Sequence, residues 1–199
     1  YSTTEMNFLL SARKRTFEIL SDCKLSLSER LCRLLAFNER VQNMLDDEIF
    51  DITAMPTDEY KKQSCKDASF IFDLHKSLDI MSKNWLCELE APADFAKNNT
   101  LSSRFDKPLT VYLDYYVRRY YLSAIDSFNV ISTIKRMVCA YIVTAYELER
   151  LENPTQAEVV KILQGYSKEV EHSYENGELL EDEFIFNPLF STCLLYTSP

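Results

Sequence analysis

Residues 108–150 read PLTVYLDYYVRRYYLSAIDSFNVISTIKRMVCAYIVTAYELER, two helical periodicities separated by one short polar break. Leu109, Leu113, Tyr116, Val117, Tyr120 and Ala124 recur at steps of three and four, which predicts a helix from Pro108 with these residues on one face. Pro108 suits a first turn, where the N–H that proline lacks has no intrahelical partner anyway. The other face carries Tyr115, Leu122 and Ile125, so the helix is expected to be covered on more than one side. Asp126, Ser127 and Asn129 leave room only for a tight return, and the second helix is expected to run back antiparallel against the first. Its residues 137–146 (MVCAYIVTAY) carry no charge, yet ten residues fall short of the roughly 20 that span a bilayer. Lys135, Arg136, Glu147 and Glu149 close both ends, so this is expected to be a core helix, not a membrane anchor.

The rest of the composition points the same way. Only 2 glycines and 6 prolines punctuate 199 residues, too few for hairpins or a Gly-rich phosphate loop. The expected fold class is all-α: an irregular multi-helix bundle of five to seven helices, two thirds helical or more, built around the 108–150 hairpin. A chain of this length buries roughly 70% of its unfolded surface, enough for one core, so residues 1–190 are expected to form a single domain. A net charge of −9 repels a phosphate backbone, and the longest basic run is Arg13-Lys14-Arg15, read as a solvated flank; no nucleic-acid partner is expected. Cys23, Cys32, Cys65, Cys87, Cys139 and Cys193 form no CxxC pair, which indicates neither zinc nor a disulfide framework and fits reduced, cytoplasmic thiols. The first residue is not Met, and a native amino terminus is expected upstream.

Along the chain, three S/T-x-x-E signatures announce helix starts: Ser2 with Glu5, Ser26 with Glu29, and Thr155 with Glu158. The first helix should reach about Ser21, with Met6, Leu9, Leu10, Phe17 and Leu20 inward. The second should reach Asp46 on Leu31, Leu34, Leu35, Val41 and Leu45. Residues 47–63 lose the period and are expected to connect, with a helix restarting after Thr57. Over residues 67–83, Ala68, Ile71, Phe72, His75, Leu78 and Met81 mark one face; the lone His75 lacks a second ligand at i+4 and reads as a packed or partly exposed side chain. Asn98-Asn99-Thr100 is a polar loop whose sequon matters only in a secreted chain. After Thr155, Val159, Val160, Leu163, Tyr166 and Val170 share a side, and Asn176-Gly177 is expected to end that helix in the left-handed region. The final residues 191–199, with CLLYTSP at 193–199, read as a non-native, adapter-derived tail.

Spacing alone identifies no catalytic constellation: there is no phosphate loop, dinucleotide fingerprint or HExxH. Asp114 and Arg118, four apart, are expected to pair on the helix surface, while Arg119 shares a flank with Tyr112, Tyr115 and Tyr116. On physical grounds this is an ion pair and a packed aromatic face. Three segments nevertheless carry a resemblance: residues 25–31 (LSLSERL) after a helix ending Glu18-Ile19-Leu20, residues 116–122 (YVRRYYL), and residues 166–176 (YSKEVEHSYEN), the most specific of the three. In that order they resemble the carboxy-terminal part of the flagellin lysine N-methylase family, over residues 6 to 190.

The resemblance implies a bacterial protein that transfers methyl groups from S-adenosylmethionine to lysine ε-amines of flagellin. It also implies a cysteine-bearing iron–sulfur or other metal centre in an amino-terminal part that this chain lacks; Cys23 and Cys32 do not replace it, and no metal ligand is assigned within the chain. Carried over residue by residue, Glu171 or His172 would accept the proton that a lysine must lose before it can attack. Arg119 would hold a cofactor carboxylate, and Tyr116 or Tyr120 would lend a π-face to the sulfonium. The structural alternative has Glu171 and His172 tie the helix end to Arg118 or Arg119. The functional alternative is a non-catalytic helical binding or dimerisation domain.

Overall fold

The computed structural model describes residues 2–55, 68–96 and 101–191. These are 78% helical and include no strand. The all-α expectation is therefore met, though short helices such as α4, α5 and α7 carry the number past the expected five to seven. The helices are α1 (Thr3–Leu20), α2 (Leu27–Asp46), α3 (Ser69–Ser77), α4 (Lys83–Glu88), α5 (Glu90–Ala96), α6 (Asp106–Tyr120), α7 (Ala124–Ser127), α8 (Val130–Glu149), α9 (Gln156–Tyr166) and α10 (Tyr174–Phe186). The expected restart after Thr57, Cys65, the sequon at Asn98 and the tail from Cys193 lie outside the described residues.

All three capping boxes form as the sequence predicts, with Ser2, Ser26 and Thr155 each accepting from the N–H of the glutamate three residues on and each glutamate reaching back. The centre of the fold is α8, where 15 of 20 residues are buried, against 5 of 15 in α6. It packs against α2, α3, α5, α6, α9 and α10, and one hydrophobic cluster joins every one of these helices. Cys139 and residues 141–145 are all buried, and burial pushes the Cys139 thiol up to about 12. Truncating Ile142 or Val143 there would cost roughly 2–5 kcal/mol.

The return between the two central helices differs from the sequence reading. The first helix stops at Tyr120, a 3-10 turn covers Tyr121–Ser123, and α7 follows, so Ala124 and Ile125 belong to a separate element. The tighter turn sends neighbouring tyrosines to different walls: Tyr121 is fully buried and donates to Asn38 Oδ1 at 2.8 Å, while Tyr120 points to a cluster described below. Phe128 then takes a left-handed conformation, φ 55°, unusual for a residue with a bulky side chain. Gln42 of α2 clamps the turn, donating to the Phe128 carbonyl at 2.9 Å and accepting from the Val130 N–H at 2.8 Å.

Five further expectations are corrected. In α1 the inward residues are Phe8, Leu9, Ala12, Thr16, Ile19 and Leu20, and Leu10 is exposed, because the packed face is centred one position away from the predicted stripe. Arg13 is not a free solvated flank: it donates to the Arg118 carbonyl at 2.9 Å and covers the Phe17 ring. The α3 helix ends at Ser77, so Met81 is solvent-facing, and Val160 of α9 is exposed as well. Asn176-Gly177 lies inside the first turn of α10 instead of ending a helix, and neither glycine has positive φ. Asn176 is fully buried there because its amide is needed as a peg: it accepts from the Asp79 N–H at 2.8 Å and donates to the carbonyls of Asp79 and Glu169 at 2.8 and 3.0 Å.

Candidate functional site

A run of tyrosines on α6 meets the end of α9. The α9 helix does not simply stop; residues Ser167–Glu171 widen into a π-helical turn, closed by the His172 N–H donating to the Ser167 carbonyl five residues back at 3.0 Å. The extra residue per turn puts Glu169, Val170 and Glu171 into the interior in succession. On α6, Tyr115 and Tyr116 stand three and four positions beyond Tyr112, and Tyr120 four beyond Tyr116; the Tyr112 ring stacks on Tyr115 and meets Tyr116 edge-on, and Tyr116 is tilted against Tyr120.

Glu171 is the meeting point. Its Oε1 accepts from Tyr115 at 2.8 Å and Tyr120 at 2.7 Å, and its Oε2 accepts from Ser167 at 2.6 Å and Tyr112 at 3.3 Å. Four hydroxyls thus fill the four lone-pair positions that a carboxylate offers. The phenols of Tyr112, Tyr115 and Tyr120 are raised above the usual range, first by burial and then by the carboxylate they bond to, so they act as donors and not as anions. Arg119 reaches the cluster at second hand. It is exposed, and its Nε donates to the Tyr120 hydroxyl at 2.9 Å. The predicted Asp114–Arg118 pair forms at 2.6 Å on the outer surface, away from Glu171. A direct tie of Glu171 to either arginine is therefore replaced by a tyrosine relay.

Arg119, Tyr120, Glu171 and His172 line one cleft of about 410 Å³, within the usual small-molecule range. His172 is exposed at its lip, and its imidazole makes no hydrogen bond within the described residues. Tyr116, fully buried, lines an adjoining cavity of about 190 Å³, and Tyr120, Arg136 and Glu181 border both spaces. All five predicted site residues are thus gathered into two touching hollows. Sequence reasoning passed over Arg136, Glu181 and the donor role of Ser167; the i+4 spacing of Ser167 and Glu171 was the available signal.

A second and larger cleft, about 660 Å³, opens between α4, α9 and the end of α8. Glu147 stands in its wall beside Glu88 and Trp85, and burial, with the neighbouring Glu88 charge, pushes its carboxyl up to about 8. No hydrogen bond or close ion pair reaches Glu147 among the described residues. His75, by contrast, is buried and satisfied. Its Nδ1 lies 2.6 Å from the Ile71 carbonyl, which can only accept, so Nδ1 carries the proton and Nε2 accepts from the Tyr166 hydroxyl at 2.9 Å.

Cys23, Cys32, Cys87 and Cys139 are in no disulfide, and no group of three His, Cys, Asp or Glu side chains among the described residues is arranged to hold a metal ion. No helix among them is long and apolar enough to cross a membrane. No family model, curated protein or solved structure matches the chain.

Proposed function

We propose that the chain is the carboxy-terminal helical part of a cytoplasmic protein-lysine N-methyltransferase acting on flagellin, and that the cleft bordered by Tyr120 and His172 is where the reacting groups meet. One observation carries this reading. Residues 116–122 and 166–176, two of the three segments that resemble the methylase family, lie about fifty positions apart in sequence and converge on the Glu171 cluster. The third segment, residues 25–31, opens α2 and supports packing instead: its Arg30 donates to the Leu20 carbonyl at 2.8 Å.

S-adenosylmethionine, when bound, supplies an electrophilic methyl on a sulfonium. The residues present fit such a group: the Tyr120 ring offers a π-face, Arg119 and Arg136 offer guanidinium groups, and the cleft is of small-molecule size. The remaining tasks fall to this chain's own side chains. A lysine ammonium has no lone pair and must lose a proton before it can attack. His172 is the acceptor with a free ring at the lip of the cleft, whereas every lone pair of Glu171 is already engaged. Glu171 is accordingly a positioning residue. It fixes the Tyr120 hydroxyl, which in turn orients Arg119. The test is mass spectrometry of flagellin incubated with S-adenosylmethionine and a protein that joins this chain to the cysteine-bearing amino-terminal part. Methyl gain on lysine that disappears in His172→Gln, a change at an exposed side chain, supports the reading; no methyl gain, or a gain that the variant retains, rejects it.

A second reading, a non-catalytic binding or dimerisation domain, draws on α10. Ile185 and Phe186 near its end and Leu189 just beyond are exposed, Phe186 at 77%. Light scattering across a concentration series, with Phe186→Ser as control, decides whether that face associates.

A further inference from the structure

The cavity beside Tyr116 has chemistry that packing does not account for. Tyr116 is 1% exposed, and its hydroxyl has no hydrogen-bond partner; apart from arginine Nε atoms, it is the sole such side-chain atom among the described residues. Leaving a hydroxyl dry and unpaired costs about 1–3 kcal/mol, so a phenylalanine would serve packing better. Arg136 of α8 borders the same cavity, close enough for its charge to act on Tyr116. It makes one contact at the limit of hydrogen bonding, to the Gly177 carbonyl at 3.3 Å, and no ion pair with any described residue.

Glu181 of α10 faces the cavity as well, yet it does not pair with Arg136. Asn129 holds it in place instead: the Asn129 amide donates to Glu181 Oε1 at 2.7 Å while its own oxygen caps α8 by accepting from the Ser132 N–H at 3.0 Å. A guanidinium and an unpaired hydroxyl donor therefore stand near a fixed carboxylate, with Ser132 and Thr133 completing the polar wall. Donors of this kind suit a carboxylate, and a separate anion suits an ammonium; one small group that carries both is an α-amino acid.

We propose that this cavity binds an α-amino-acid group, its carboxylate on Arg136 and the Tyr116 hydroxyl and its ammonium on Glu181. Arg119 is the weaker candidate for that carboxylate, being exposed and already bonded to Tyr120, while Glu171 in the same cleft is saturated by four hydroxyls. The site stands on its own geometry. Only the identification of the ligand as the amino-acid end of a nucleoside-bearing cofactor rests on the methyltransferase reading.

Calorimetric titration of the chain with L-methionine, S-adenosylhomocysteine and 3-(methylthio)propylamine, which lacks the carboxylate, separates the possibilities. The site predicts saturable binding of at least one of the first two, none of the third, and a tenfold or greater loss in Tyr116→Phe, Arg136→Lys and Glu181→Gln. Tyr116→Phe should melt at or above the parent temperature, since it removes an unpaired buried hydroxyl, so its loss of binding cannot be laid to unfolding. Tight binding of S-adenosylhomocysteine with weak binding of methionine supports both the site and the methyltransferase reading. Equal binding of the two supports the site but counts against that reading. Binding of neither, or binding that all three variants retain, overturns the proposal.

Discussion

Glu171 and Glu147 are the same residue type, each set in the wall of a cleft, and their surroundings are opposite. Glu171 receives four hydroxyl hydrogen bonds from two elements. Glu147 receives none among the described residues and sits near a second acid, Glu88, so its proton is held up to about 8. Burial alone does not say what a carboxylate does; its donors do. With all its lone pairs filled, a glutamate braces the structure around it, whereas one stripped of partners carries a proton near neutral pH and is available for exchange.

The largest expected effect comes from breaking the saturated site. Glu171→Ala leaves four hydroxyls without their acceptor and should cost roughly 3 kcal/mol or more. At about 2–4 °C per kcal/mol for a chain of this size, the drop in melting temperature should be unmistakable. A melt within one degree of the parent would show that the tyrosine cluster is not a brace.

The unsatisfied site should show itself in pH dependence. The Glu147 carboxyl lies above its ordinary 4.5 in the folded chain, so the folded state binds the extra proton between 4.5 and about 8. Its stabilising contribution is complete below 4.5 and is lost as pH rises through 8, on the order of a few kcal/mol. Glu147→Gln should flatten that fall. His75 acts in the reverse sense: burial lowers it from 6.5 to about 4, so its contribution is full above 6.5 and lost as pH falls toward 4. The two slopes oppose one another below pH 6.5, and melts from pH 6.5 to 8.5 therefore isolate Glu147. An equally steep fall in Glu147→Gln would refute the assignment.

A smaller effect refines the comparison. Tyr166→Phe removes the hydroxyl that donates to His75 Nε2, leaving one buried acceptor unpaired while the ring contacts with His75 and Trp85 remain. The cost should be about 1–2 kcal/mol. A loss near zero would mean that the buried histidine needs only its Ile71 bond.

Much of this architecture was legible in the sequence because it rests on local rules. The capping boxes at Ser2, Ser26 and Thr155 need only residues three apart, and the charge-free stretch inside α8 announces burial without knowledge of its partners. What escaped depends on contacts distant in sequence. The helix break at Tyr121 follows from Asn38, more than eighty positions earlier, and Asn176-Gly177 stays helical because Asp79 and Glu169 claim the Asn176 amide. Two sequence segments supply the five residues that meet around the adjoining hollows, but the bonds they make there could not be read from them. Nothing in residues 166–176 says that a π-helical turn will hand Glu171 to three tyrosines and leave His172 at the surface.

His172→Gln separates the roles of His172 and Glu171. The residue is exposed and its ring bonds to nothing in the described chain, so the variant should melt with the parent. Under the proposed methyltransferase reading, flagellin lysine methylation should be lost when the variant is assayed by mass spectrometry in a protein that joins this chain to a cysteine-bearing amino-terminal part. A folded His172→Gln protein that methylates at the parent rate would remove His172 from the chemistry and return Glu171 to contention as the base.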